Sequence, residues 1–276
     1  MARVESLSIY AQNGSSKEFL AEQYGAVIEN IQTGTISGEL KNRELSGSPT
    51  AGSVEAKRFV NAAVQTYGTA RAGGAGAKVK AQTVTVVIDQ HREIIEEVND
   101  DDVAMYGVEG LIERRTANHK MRIAKDLERE FFIEAAKGTA ATLEATDEIA
   151  MVDEAITTLE ETKNEFVDGI DRMFMTIVAR PTFYTALQSE IDTLSNPNVN
   201  SAAGEIKEFH GCKIKKSTDL PEGVKFIVYT DGAVAQPVRF NISPLEPIPM
   251  SQDWSFGIFY TFGTKAVAPD TVLVVK

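Results

Sequence analysis

From Val108 to Lys137 the chain runs thirty residues without a proline, and apolar side chains recur there at helical spacing. Met121, Ala124, Leu127, Phe131 and Ala135 form one stripe, and Leu111 and Ile112 begin an earlier contact. A helix of this length is about 45 Å long, and Gly138 is placed to stop it. Between Glu109 and Lys137 stand seven basic and six acidic residues. The outer faces are therefore expected to be solvated, with pairs three and four apart adding a little stability.

The residues before this helix read as an arm and an excursion. Ser15-Ser16-Lys17-Glu18 is a capping box. The helix it opens carries Phe19, Leu20, Tyr24, Val27, Ile28 and Ile31 on one stripe. That stripe must be buried, either on its own domain or on a neighbouring subunit. A turn-rich stretch, Leu45–Ser53, follows. Val54 to Val98 reads as a long two-stranded excursion, outward through Phe59-Val60 to Tyr67 and back through Lys78–Asp89 with near alternation. Its tip holds Arg71, Gly73, Gly74 and Gly76, and is too glycine-rich to pack a core. Such an excursion suggests a loop laid over something else.

After the long helix, helices and short strands alternate. Ile149, Val152, Ala155, Ile156 and Leu159 predict a helix, and Phe174–Ala179 a buried strand. Pro181 opens a helix with an apolar face of Phe183, Leu187, Ile191 and Leu194. Ser195–Ser201 reads as an exposed loop, and Lys207–Lys215 as a hairpin turning at His210-Gly211. Short strands are expected at Val224–Tyr229, Val238–Ile242, Phe256–Phe262 and Val272–Val275.

Chemistry-bearing motifs are absent. Gly73-Gly74-Ala75-Gly76-Ala77-Lys78 lacks the Ser or Thr of a phosphate loop and leads into a strand, so no nucleotide site is expected. Asp100-Asp101-Asp102 lacks the spacing of a calcium loop and reads as an acidic entry to the long helix. His91, His119 and His210 lie far apart, and His119 reads as an exposed helix residue. Cys212 is the only cysteine, which excludes an internal disulfide. Tyr10, Arg71, Trp254 and the Phe256–Phe262 aromatics read as packing residues. The net charge of −12 disfavours avid phosphate binding. No run approaches a membrane span, and Met1–Glu5 lacks the features of a signal peptide. Catalytic, cofactor and metal sites are all expected to be absent.

The order of arm, β-excursion, long helix and mixed α/β region resembles the Hong Kong ninety-seven-type coat fold of tailed-bacteriophage major capsid proteins. Three stretches carry the likeness: Val84–Val103, Ala117–Phe132 and Phe209–Pro221, the last with its aromatic, glycine, strand, Ser and Leu-Pro. The resemblance implies an α+β coat fold with an N-terminal arm (1–53), an extended β-loop (54–98), a peripheral domain with a spine helix (99–145 and 239–276) and a mixed α/β axial domain (146–238). It implies a non-enzymatic shell subunit that forms pentamers and hexamers around double-stranded DNA, without sequence-specific binding. Its expected partners are itself, a scaffolding protein and a portal, and no membrane. Its expected place is the virion, after synthesis in the host bacterial cytoplasm. The assembly candidates are Phe19, Tyr24 and Ile28 on the arm and Arg71, Gly73, Gly74 and Gly76 at the loop tip. An encapsulin-type nanocompartment shell, or less so an unrelated soluble enzyme, is the alternative.

Overall fold

The computed structural model describes residues 7, 10, 14–47, 49, 52–64, 66–68, 78–193, 199–200 and 205–276. Its central element is a helix from Asp100 to Ala135, here α3. Helices α1 (Gly14–Thr33) and α2 (Ile36–Leu40) precede it. The acidic run is its cap: the Asn99 side chain accepts from the Asp101 and Asp102 backbone N–H groups, and the Asp102 carboxylate accepts from Asn99 N–H. Gly107 then interrupts the helix at φ 71°, a conformation that costs a residue with a Cβ. The unbroken rod begins at Val108, where the periodicity predicts it.

Most of this rod, from Val108 to Leu127, lies on a three-stranded antiparallel sheet of order β12 (Val238–Pro247), β13 (Trp254–Phe262), β3 (Gln90–Val98). Ile112, Ile123 and Leu127 meet Phe256, Ile258, Tyr260 and Phe262 there, and α1 closes the same core with Leu20, Tyr24, Val27 and Ile31. Leu7 and Tyr10 are buried in it too. The last turns reach a second core. Phe131, Phe132 and Ala135 pack with Leu40 of α2 on Val178, Ile227, Tyr229, Val272 and Val274. The Glu128 carboxylate pins α2 by accepting from Ile36 N–H at 2.6 Å.

These last residues belong to a mixed six-stranded sheet of order β4 (Thr139–Ala140), β15 (Val272–Val275), β10 (Phe226–Thr230), β5 (Met175–Ala179), β9 (Cys212–Lys216), β8 (Glu208–Phe209). Its opposite face carries α4 (Glu148–Glu160) and α5 (Pro181–Thr193). Val152, Ala155, Ile156, Leu159, Phe183, Leu187 and Ile191 supply that core. Covered on both faces, β5 is apolar at nearly every position. The β8–β9 turn falls at His210 (φ 47°) and Gly211 (φ 89°), as expected. Leu194 and most of Ser195–Ser201 lie outside the described residues. The fold class is α+β.

Several expectations need correction. The outgoing limb is β1 (Ser53–Phe59), paired with β2 (Ala81–Val87), and no strand runs from Val60 to Val64. Residues 90–98, expected in the excursion, pair with β13 in the body. Val272–Val275, expected to complete the peripheral domain, joins β10 in the six-stranded sheet instead. Met121 is 61% exposed, and His119 is 1% exposed. The buried face of α3 runs through Ile112, Thr116, His119, Ile123, Leu127 and Phe131. Two polar residues stand on it with local partners: Thr116 Oγ1 donates to Ile112 O at 2.9 Å, and His119 Nδ1 meets Tyr24.

Candidate assembly surfaces

A two-stranded hairpin is marginal in water by itself, so the contacts that hold β1–β2 matter. Arg58 donates to both oxygens of Asp270 at 2.6 and 2.8 Å. Asn164 Nδ2 donates to the same carboxylate at 2.6 Å, and the Arg58 guanidinium lies 4.3 Å from the Phe166 ring centroid. Asn61 N–H donates to Glu165 O at 2.8 Å. Burial pushes the Asp270 carboxyl up, but the Arg58 and Asn164 hydrogen bonds outweigh it and hold it below the usual range. The outer end of the paired strands, where Arg58 lies opposite Gln82, is therefore docked on the chain's own body.

Elsewhere the hairpin lacks cover. Phe59, Val64, Tyr67, Val79 and, at the root, Val87 are exposed, Tyr67 at 90% and Val64 fully. Single exposed apolar side chains are ordinary, but five on one short excursion mark a surface that meets something. Beside the root lies the outer face of the three-stranded sheet, where His91, Glu93, Ile95 and Glu97 point away from α3. Ile95 is 45% exposed. An open pocket of about 350 Å³ lies on this sheet beside the hairpin's root, lined by Ile88, His91, Arg239, Asn241 and Phe259.

The arm helix is satisfied differently. Tyr24 is fully buried and meets His119 Nδ1 at 2.9 Å. The His119 ring stacks between Tyr24 and Phe256, with centroids 6.1 and 6.0 Å away. Its Nε2 stands 3.3 Å from Glu96 Oε1, within ion-pair reach but off the line of a hydrogen bond. Glu96 is gripped by Arg115, whose Nε donates at 2.7 Å. The carboxylate beside Nε2 favours the neutral tautomer with its proton there, so Tyr24 O–H donates to Nδ1. The Arg115 hydrogen bond holds the Glu96 carboxyl low. Burial holds the His119 pKa down, partly offset by Glu96.

This network joins α1, α3 and β3, and it makes stability depend on pH. A histidine with a depressed folded pKa binds its proton first in the unfolded chain. Its contribution is full above the ordinary histidine value of about 6.5 and is lost as pH falls below it. Tyr24→Phe leaves His119 Nδ1 without its donor and is expected to cost about 1–3 kcal/mol. In His119→Gln the loss of stability between roughly pH 7 and 5 should shrink. Urea unfolding at a series of pH values checks both, and an unchanged slope in His119→Gln would show that the ring is not what titrates.

Of the arm candidates, then, Tyr24 is a core residue of its own chain, while Phe19 and Ile28 are half-buried. The stripe found its partner in α3 and β12–β13. Arg71, Gly73, Gly74 and Gly76 lie outside the described residues. Sequence reasoning missed Arg58, Asp270 and His119. Only for His119 was there a signal, namely its place four residues before Ile123 and seven after Ile112. Burial pushes the Cys212 thiol up to about 11, which leaves it a poor nucleophile. Among the described residues no three His, Cys, Asp or Glu side chains gather as metal ligands, and no helix is long and apolar enough to cross a membrane.

No protein-family model and no curated protein matches the chain significantly. Solved structures do match, and they define a class: the chain has the fold of phage capsid subunits. A chain of Mycobacterium phage Che8 aligns with TM-score 0.65 and 22% identity, over 88% of this chain and 91% of that one. The capsid structure of cyanophage P-SCSP1u aligns with TM-score 0.64 and 14% identity, over 87% of each. The virus-like particle from Pyrococcus furiosus gives TM-score 0.59 and 14% identity, over 94% of this chain and 100% of that one.

Proposed function

We propose that this chain is a major capsid protein, a non-enzymatic subunit that closes into pentamers and hexamers and builds an icosahedral shell around double-stranded DNA. The observation that carries this reading is the coat fold itself, matched over about nine-tenths of phage chains such as that of Che8. The exposed apolar hairpin supports it. In this reading residues 54–87 are the extended loop. The three-stranded sheet with α1 and most of α3 is the peripheral body, and the six-stranded sheet with α4 and α5 is the axial body. Arg71, Gly73, Gly74 and Gly76 stand at the loop tip as contacts to a neighbour. Scaffolding protein and portal are its further partners, and assembly takes place in the host bacterial cytoplasm.

The mechanism is association by repeated modest contacts. Head-to-tail surfaces close into rings when the rotation between copies permits. A subunit held at several places gains through multivalency, since each further contact forms at high effective concentration. Negative-stain imaging and size-exclusion chromatography of the expressed protein, with and without a scaffold partner, test the reading. Rings and shells are expected, and a small oligomer under every condition would overturn it. A second reading, a nanocompartment shell, is favoured by the full-length match to the Pyrococcus furiosus particle. Small particles that hold a cargo enzyme and no DNA would select it.

A further inference from the structure

The β8–β9 edge of the six-stranded sheet is rich in lysine. On β9, Cys212 and Ile214 face the core under α4 and α5. Lys213 and Lys215, alternating with them, therefore face the other way. Lys213, Lys215 and Arg43 all act on Asp231 on that side. Lys207 and Lys216 flank the same edge of the sheet, around an open cavity of about 360 Å³ whose apolar lining includes Ile36, Tyr184 and Ile206. Of these four lysines only Lys215 is in an ion pair among the described residues, with Glu39. Lys213 faces Asp231, and Lys216 Nζ lies 5.7 Å from the Tyr184 ring centroid, but neither they nor Lys207 is in such a pair, on a chain whose net charge is −12.

The segment that carries α4 has the opposite sign. From Thr139 to Thr162 the chain carries seven carboxylates and no lysine or arginine. Several of them have work within the chain. Glu160 pairs with Arg172 and Asp153 with His210. Glu154 accepts from Glu144 and Ala145 N–H, and Asp147 caps α4 by accepting from Ala150 N–H. The Glu144 and Glu161 side chains remain exposed, with no ion pair among the described residues.

We propose that the lysine edge of one copy, Lys207, Lys213 and Lys216, receives the acidic α4 side of a second copy, centred on Glu144 and Glu161. The inference rests on the shell-subunit reading and names the contact between successive copies in a ring. Two different patches of opposite sign on one chain are what a head-to-tail contact requires. Strongly acidic chains repel one another in most orientations, so a local match of opposite charge selects the productive one. The plainer role of such lysines is to keep a sheet edge from pairing with another strand. That role asks nothing of Glu144 or Glu161, and here the two readings part.

Charge reversal tests it on the full chain. Lys213→Glu with Lys216→Glu, and separately Glu144→Lys with Glu161→Lys, should each slow assembly by about tenfold or more in low salt, which corresponds to roughly 1.4 kcal/mol per contact. Light scattering reads the rate and electron microscopy the product. The four substitutions together restore opposite signs and should recover assembly to near the wild-type rate. Unchanged circular dichroism and unfolding midpoints establish that each variant is folded. The contact is refuted if either reversed pair assembles like wild type, or if the fourfold variant stays as defective as the pairs. In the first case shells still form and the capsid reading stands. Wild-type protein that forms no ring or shell even with a scaffold would remove both. Assembly that is intact while the lysine variant loses binding to duplex DNA would reassign the edge to nucleic acid.

Discussion

Replacing Phe131 by alanine is expected to destabilise the isolated subunit by about 3–5 kcal/mol, the cost of deleting a large buried ring. Phe131 is fully buried where the long helix leaves one core and enters the other. Its ring meets Phe132 edge-on at 5.5 Å and Tyr229 at 5.6 Å. Around it the backbone is held. Tyr229 O–H donates to Leu40 O at 3.3 Å and accepts from Val234 N–H at 2.7 Å, and Gln236 Nε2 donates to Leu127 O at 2.9 Å. A cavity there cannot collapse easily, which places the cost toward the upper end of the range. Met121→Ala, on the exposed side of the same helix, should stay within about 0.5 kcal/mol. Denaturant unfolding measures both. A Phe131→Ala cost under about 1 kcal/mol would mean that the helix is not seated on the second sheet.

Gly263→Val should do comparable damage by a different route. A Cβ at Gly263 would overlap the Val87 carbonyl oxygen and crowd Ile88 Cα, at the root of the β1–β2 hairpin. These are backbone atoms and cannot swing aside as a side chain does. Overpacking of this kind costs about 1–3 kcal/mol even where side chains yield, so the upper limit is the expectation here. The hairpin root would shift, and the segment between Val60 and Lys80 should be cut faster by protease. Gly52→Ala, with nothing within 4 Å of its Cβ, is the matched control. Wild-type stability and cleavage in Gly263→Val would show that the close approach is not made.

The elements themselves could be read from the chain because periodicity is local. The rod from Val108, the Pro181 helix, the turn at His210-Gly211 and the strand at Phe256–Phe262 all declare themselves within a few residues. Partner choice is not local. Nothing in Val272-Leu273-Val274-Val275 says which of two sheets it joins. That is decided by Phe226–Tyr229, more than forty residues earlier, and by Gly138, where a Cβ would come within 2.6 Å of Val272 O. Gly138 was expected to stop the helix; what it also supplies is room. The arm shows the same limit. Phe19 to Ile31 announces a stripe but not its destination, and the polar answer, Tyr24 on His119, is invisible to a hydrophobic pattern. The contacts at Arg58 and Asp270 join residues 212 positions apart, and no local signal announces them.

A single rod that is a member of two cores has a consequence for how this molecule comes apart. Neither sheet can melt while the other stands, because each borrows a different end of the same 28-residue helix. Heat or denaturant should therefore meet one cooperative transition and not two. By the same geometry, a pull on either sheet is delivered stiffly to the other, since Leu127 in one core and Phe131 in the next are only about one helical turn apart, like force along a lever.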